Sequence, residues 1–300
     1  MAWLQIHTRL SSSDYSAVET LLEDLGALSL TLMDALDQPI FEPPLGSEPL
    51  WNEIKVSALF DADTDPFLIH AALQGLNEVS LHEWRDERLE DDDWERKWMA
   101  RFKPMQFGSN LWIVPSWHEA PDPDAVNISL DPGLAFGSGT HETTALCLQW
   151  LSEQTLNECD VLDFGCGSGI LAIAALKLGA KRADGIDIDP QAITASRNNA
   201  EKNGIDLDDF SLHLADDLPS EPYDVVVANI LSVPLIELSE TLATFCRAGG
   251  RIALSGILRE QATSVSEAYA PWFTMSEPEF RGDWTRLTGT RNDRAAQRSH

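Results

Sequence analysis

Apolar and polar residues alternate over Ala2–Thr8, which predicts an opening β-strand whose side chains face opposite sides in turn. The period then changes: Val18, Leu21, Leu22 and Leu25 recur at helical spacing behind a Ser/Asp start, giving a helix over Ser12–Leu25. Leu28–Met33 and Ile54–Phe60 read as second and third strands, separated by a stretch holding Pro39, Pro43, Pro44 and Pro49. Asp65-Pro66 opens a helix that runs through Leu76, proline being welcome in a first turn, and Val79–Trp84 supplies a fourth strand. Strand–helix–strand–strand–helix–strand is the order of a split βαβ, ferredoxin-like unit, here residues 1–90. That fold hosts many functions and is by itself only a platform.

An acidic run, Glu90-Asp91-Asp92-Asp93, precedes Trp94-Glu95-Arg96-Lys97-Trp98-Met99-Ala100-Arg101-Phe102. Acids first and bases last suit a helix dipole and predict a linker helix over residues 91–104. Strand-like segments follow at Leu111–Val114 and Val126–Leu130. From Thr140 the pattern becomes regular. Strands are expected at Asp160–Phe164, Ala183–Ile186, Phe210–Leu214, Asp224–Ala228 and Gly250–Ser255, with helices at Ile170–Leu178, Pro190–Asn203 and Leu235–Phe245 between them. Such alternation predicts a parallel sheet covered on both faces, a second domain over residues 105–290. Trp272–Phe280 and Thr285–Thr290 look like a closing pair of strands, and the polar tail, residues 291–300, is expected to be disordered.

Composition narrows the class. With 43% apolar residues and no apolar run near the ~18 residues of a membrane span, the chain reads as a soluble, cytoplasmic protein without a signal peptide. Cys147, Cys159, Cys166 and Cys246 are scattered without paired metal spacing, so neither a disulfide frame nor a zinc site is expected. The net charge is −28, and residues 1–95 carry 21 acids against 4 bases. This surface repels nucleic acid, whose phosphates need Lys and Arg, and attracts a basic partner. Solubility or salt adaptation explains the same charge about equally well.

The strongest chemical signal is Val161-Leu162-Asp163-Phe164-Gly165-Cys166-Gly167-Ser168-Gly169, three alternate glycines between an apolar strand and a helix. Glycine there permits a tight turn and close approach to a ligand, and the helix start offers free N–H groups. A dinucleotide-binding loop has the spacing Gly-x-Gly-x-x-Gly, set by its pyrophosphate; the Gly-x-Gly-x-Gly found here resembles the first motif of Rossmann-like methyltransferases, whose ligand has no phosphate. Asp187 stands at the next strand's tip, 22 residues past Gly165, where a ribose diol would be held, whereas Asp189 reads as a helix N-cap before Pro190. After the third strand stand Asp216 and Asp217, for which the resemblance to such enzymes implies a contact with an adenine amino group; a plain solvated turn is the equal alternative.

Several further segments belong together: Trp94-Glu95-Arg96, Phe102-Lys103-Pro104, Leu111-Trp112-Ile113-Val114-Pro115-Ser116-Trp117, Asp131-Pro132-Gly133-Leu134-Ala135-Phe136-Gly137-Ser138-Gly139-Thr140-His141-Glu142-Thr143-Thr144, and Asn229-Ile230-Leu231. With the glycine loop they resemble the bacterial methyltransferases of large-subunit ribosomal protein eleven, from the start of the chain to about Thr290. The resemblance implies a Rossmann-like, seven-stranded class I methyltransferase domain behind a small α+β ferredoxin-like domain that grips the substrate protein. It also implies S-adenosylmethionine as methyl donor, S-adenosylhomocysteine as product, no metal, and trimethylation of the N-terminal α-amine and lysine ε-amines of a basic ribosomal protein. By motif match, Thr144, Gly165, Gly167, Asp187 and Asn229 stand at the donor site, and Asn229 is the expected catalytic residue. Ser138 and Glu142 depart from the family's usual Thr and Pro.

Thr140, Thr143 and Thr144 are candidates for the donor's amino-acid end, or for capping the helix that follows. Phe136–Gly139 is expected to form a flap, and His141 to start the helix rather than act as a base. The tryptophans at 94, 98, 112 and 117 are read as packing residues. A monomer with no nucleic-acid or membrane partner is expected. The alternative is a class I methyltransferase for another amine, on a nucleic acid or a small molecule.

Overall fold

The computed structural model describes residues 2–36, 50–76, 79–90, 102–131, 141–215, 218–219 and 221–293. The chain forms two compact units, Met1–Arg101 and Phe102–His300. Among the described residues no helix is long and apolar enough to cross a membrane.

The first unit is one antiparallel sheet with two helices: β1 (Ala2–Ser11), α1 (Tyr15–Asp24), β2 (Ser29–Asp34), β3 (Glu53–Asp61), α2 (Pro66–Gln74) and β4 (His82–Glu90). Its strand order, β2-β3-β1-β4, is the ferredoxin-like one. Leu4, Ile6 and Leu10 of β1 alternate inward with Ile54, Val56, Ala58 and Phe60 of β3, and Val18, Leu22, Ile69 and Leu73 of the helices close over them. As the Asp65-Pro66 pair predicts, the Asp65 carboxylate accepts from Phe67 N (2.9 Å) with Pro66 in the first turn.

The fourth strand lies further along the chain than its apolar residues indicate. β4 pairs only with β1 and runs through Arg85, Asp86, Glu87 and Arg88 to Glu90. An edge strand tolerates charge on its open side, so hydropathy understates its extent. Residues 91–101 of the expected linker helix lie outside the described residues, and Phe102–Pro104 carry no helix.

In the second unit, a small sheet of β5 (Met105–Phe107), β6 (Leu111–Val114) and β7 (Val126–Ser129) precedes the main sheet. The main elements are α3 (Glu142–Ser152), β8 (Asp160–Phe164), α4 (Ile170–Lys177), β9 (Arg182–Asp187), α5 (Pro190–Lys202), β10 (Phe210–Leu214) and β11 (Tyr223–Asn229). There follow α6 (Ser232–Glu237), α7 (Ser239–Phe245), β12 (Cys246–Leu258), α8 (Ala262–Tyr269), β13 (Phe273–Met275), β14 (Glu279–Arg281) and β15 (Trp284–Arg291). The strand order is β10-β9-β8-β11-β12-β15-β13, with β14 also on β15. The strands from β10 to β12 are parallel and β15 is antiparallel to β12.

Both faces are buried. Val225 and Val227 of β11 enter one core with α3 and α4, whereas Val226 and Ala228 enter the other with Leu235, Phe245 and Tyr269. That is why the strand reads as an unbroken apolar run. Strand order reverses between β8 and β11, so a crevice opens beyond their carboxyl ends, the usual ligand position in such sheets.

Three segments differ from the pattern read along the chain. The helix expected over Leu235–Phe245 is two short helices meeting at Leu238, whose backbone (φ −91°, ψ 6°) leaves the helical range. The expected strand Trp272–Phe280 breaks into β13 and β14, because the intervening Pro278 has no N–H for the ladder. The last strand reaches Arg291, inside the expected tail, where the guanidinium lies over the Trp272 ring (5.4 Å); residues 294–300 lie outside the described residues.

At the end of α5, Asn203 holds β7 like a backbone partner. Its Oδ1 accepts from Ser129 N and its Nδ2 donates to Ser129 O, both at 2.8 Å. Asn203→Ala strands both half-buried groups, and a loss of about 2 kcal/mol in urea unfolding is expected. A loss below about 0.5 kcal/mol would show that water replaces the amide freely.

Candidate functional site

The glycine loop joins β8 to α4 with Gly165, Gly167 and Gly169 all at positive φ (79°, 54° and 75°). Gly165 N and Cys166 N both donate to Ile186 O (2.8 and 2.9 Å), which ties the turn to the end of β9. The sequence assigns these glycines to ligand approach, but two of them answer first to the protein's own packing. A Cβ on Gly165 would run into Ile230 Cγ2, and one on Gly169 would stand 2.8 Å from Ser196 Oγ.

From α5, Ser196 Oγ donates to Gly167 O (3.0 Å) and Asn199 Nδ2 donates to Ser168 O (2.9 Å). The loop is therefore fixed by hydrogen bonds before any ligand arrives.

Asp187 ends β9 with both carboxylate oxygens oriented: Oδ2 accepts from Gly167 N (2.9 Å) and Oδ1 from Asp189 N (3.0 Å). Each oxygen keeps a lone pair for a further donor. Asp189 caps α5 by accepting from Gln191 N (2.8 Å), with Pro190 in the first turn. Asp189 is thus the helix cap that the sequence indicates.

Asn229 ends β11 opposite Ser255 of β12. Its Nδ2 donates to Thr144 Oγ1 (3.2 Å) on α3, which leaves the carbonyl Oδ1 as the acceptor end of the amide. Thr144 is buried, so this pair is a fixed piece of the wall. His141 caps α3, its Nδ1 taking Thr143 N (3.4 Å) and lying 2.8 Å from Thr143 Oγ1. An accepting Nδ1 lone pair serves the Thr143 N–H. The His141 ring meets Trp284 edge-on at 4.9 Å. His141, rather than any threonine, takes the cap.

One cleft of about 520 Å³ joins these pieces and is lined by Thr144, Gly165, Gly167, Asp187 and Asn229, all five of the expected site residues. Its wall also includes His141, Thr143, Ile170, Leu171 and Ile188, all from segments singled out in the sequence. Ile230, from the Asn-Ile-Leu motif, lines it too, as do Gly256 and Trp284, which were not anticipated. Gly256 carried a signal, since a glycine inside an apolar strand marks a bulge or a close approach. β12 does shift register between Leu254 and Ile257, and a Cβ on Gly256 (φ 84°) would lie 2.7 Å from the Ile230 carbonyl carbon. Thr140, the expected flap Phe136–Gly139, Trp94, Trp98, Asp216 and Asp217 lie outside the described residues.

Among the described residues no cluster of His, Cys, Asp or Glu is placed to hold a metal, and the four cysteines are free thiols. Among the described residues the cleft is instead mostly apolar, with one oriented carboxylate, one oriented amide and a glycine-rich backbone turn. It fits a nucleoside with a diol and an uncharged, apolar-faced body.

A doubly wound sheet with this loop, acid and asparagine around its switch point has the architecture of a class I S-adenosylmethionine-dependent methyltransferase. Residues 2–292 match the family described as Ribosomal protein L11 methyltransferase (PrmA), and the chain belongs to that family. The Ribosomal protein L11 methyltransferase of Azotobacter vinelandii is 57% identical over 291 residues, covering 97% of this chain and 100% of the relative. That of Pseudomonas syringae pv. tomato is 55% identical with the same coverage. Among solved structures, a ribosomal protein L11 methylase from Lactobacillus delbrueckii subsp. bulgaricus shares 36% identity at a TM-score of 0.58, covering 64% of this chain and 100% of that one.

Beneath the cleft, Asp163 is buried; Oδ2 accepts from Ala172 N (3.1 Å) and Oδ1 has no hydrogen-bond partner among the described residues. Burial, helped by the nearby Asp187 carboxylate, pushes its carboxyl up to about 7. The folded chain therefore holds this proton where the unfolded chain, near pH 4, has released it. Stability from this group falls as pH rises from about 4 to about 7. Asp163→Asn removes the titration, so its stability relative to the parent should climb through that window by on the order of a few kcal/mol, then level off. Thermal unfolding at pH 5 and pH 8 measures it; an equal difference at both pH values would refute the buried-proton account.

Proposed function

We propose that the chain transfers methyl groups from S-adenosylmethionine to ribosomal protein L11, at the N-terminal α-amine and at lysine ε-amines, up to trimethylation. The observation that carries this reading is the amide of Asn229, held by Thr144 in the same cleft as Asp187 and the glycine loop. Asp187 would accept from the ribose diol, Ile188 and Leu171 would face the adenine and the chain of the donor, and Thr144 would stand at its amino-acid end. Bound there, the donor supplies an electrophilic methyl group on a sulfonium.

The acceptor must be a neutral amine, because an ammonium has no lone pair. At pH 7 a lysine requires roughly 4.6 kcal/mol to deprotonate and an α-amine about 1 kcal/mol, so the chain terminus is the easier first acceptor. An apolar cleft beside a positive sulfonium lowers either cost. In the first two transfers Asn229 Oδ1 accepts an amine N–H and turns the lone pair toward the methyl group, and positioning of this kind can supply several kcal/mol; the dimethylated amine has no N–H and its lone pair is aimed by packing alone. No general base is required of the wall.

A nucleobase amine is disfavoured. Ile230 and Leu231 follow Asn229, so that motif supplies no aromatic ring to stack a flipped base, and the net charge of −28 opposes phosphate. Substrate gripping falls to the first unit, whose α2 exposes Phe67 and Leu68 next to Asp61, Asp63 and Asp65.

Two substitutions separate donor binding from catalysis. Asp187→Ala should weaken donor binding at least about tenfold by calorimetry, the worth of one charged hydrogen bond; unchanged affinity removes the diol role. Asn229→Ala should keep donor affinity within a few-fold and lower turnover on ribosomal protein L11 about a hundredfold in a radiolabel assay. Full turnover would end the positioning role.

A further inference from the structure

The turn that presents Asn229 continues into α6, whose outer face carries more apolar surface than the fold uses. Ser232 and Leu235 are buried, and the Leu235 carbonyl accepts from the Tyr269 hydroxyl (2.9 Å), so the inner face is complete. Outside, Leu231, Val233 and Ile236 remain 49%, 54% and 37% exposed. Single exposed apolar residues are ordinary, but here three fall within six positions and the first of them also lines the catalytic cleft. Val233, Ile236 and Glu237 share one helix face by their spacing, and the exposed Glu240 follows at the start of α7. The surrounding chain has one sign of charge: residues 203–246 contain nine acids and no Lys or Arg. An apolar strip that leaves the reaction cleft and ends in two glutamates is continuous with the site and complementary to a basic peptide.

We propose that the outer face of α6, from Leu231 through Val233 and Ile236 to Glu237 and Glu240, docks the stretch of substrate protein flanking the acceptor amine. That stretch would set an apolar side chain on Val233 and Ile236 and a Lys or Arg near the glutamates. This rests on the protein-amine reading above and adds the residues that would read sequence around the amine, close to the chemistry. A free metabolite would fill the cleft and leave the strip in water, and a nucleic acid would meet the glutamates with its phosphates.

The test compares the full chain with Val233→Ser/Ile236→Ser and with Glu237→Lys/Glu240→Lys in steady-state methylation of ribosomal protein L11. Expected is a rise of about tenfold in KM for the protein in each variant, with kcat within twofold and donor affinity and melting temperature unchanged. For the charge variant, the rise should shrink at high salt. Unchanged KM in both variants overturns the docking surface while leaving the protein-amine reading standing. A shift in sedimentation with unchanged KM assigns the strip to a second copy of the chain and also overturns it. No methylation of the ribosomal protein by the parent chain overturns both readings at once.

Discussion

Ile230 is the wedge on which the site's geometry depends. Its Cγ2 fills the place of a side chain at Gly165 in the loop after β8, and its backbone lies against Gly256 in the bulge of β12. Both glycines adopt positive φ, so each position excludes an ordinary side chain twice, once by conformation and once by volume. One residue thus sets the distance between the loop that would hold a methyl donor and the asparagine that would hold an acceptor. An in-line displacement needs that distance fixed more than it needs any particular acid or base.

The same economy extends to the surroundings. α5 uses Ser196, Asn199 and Asn203, all on one side of the helix, to take the carbonyls of Gly167, Ser168 and Ser129. Just beyond Ser129, Asp131 accepts from Ser116 N (2.7 Å) and pairs with Lys202 (3.5 Å), contacts that hold its carboxyl below the usual range despite partial burial. Pinned carbonyls and a pinned carboxylate mean that little ordering remains to be done when a ligand binds, which is the physical content of preorganisation.

The sequence announced those parts whose chemistry is local. Asp65-Pro66 and Asp189-Pro190 specify helix starts through their own backbone hydrogen bonds, and β8 and β10 begin and end where their apolar runs do. The glycine loop and Asp187 were legible because the spacing of strand, turn and helix puts them at one end of a parallel sheet, and Asn229 through the resemblance of its Asn-Ile-Leu motif. What escaped depends on contacts remote in sequence. Ile230 was visible as part of the Asn-Ile-Leu motif, but its task was not, since only its two glycine neighbours, 65 and 26 positions away, reveal it. Trp284 reached the cleft through a hairpin that Pro278 divides, and β4 hid its length behind charges that an edge strand can carry.

Charge and chemistry are kept apart in this molecule, and the reaction requires that they be. A carboxylate against the acceptor would stabilise its ammonium form and raise the cost of reaching the reactive amine. Among the described residues lining the cleft, Asp187 supplies the sole carboxylate, and two backbone N–H groups already partly satisfy it. The abundant acids stand elsewhere: along the first unit, on the loops after α5, and at Glu237 and Glu240 beyond the cleft's apolar edge. An acidic exterior speeds the arrival of a basic protein through long-range attraction, which falls off over about 8–10 Å in salt. Inside that distance the surface turns apolar, and a lysine moving from glutamates to Leu231 and Asn229 passes from surroundings that favour its charge to surroundings that favour losing it. Attraction and deprotonation oppose each other at a single point, so a protein that methylates amines without a base must separate them in space.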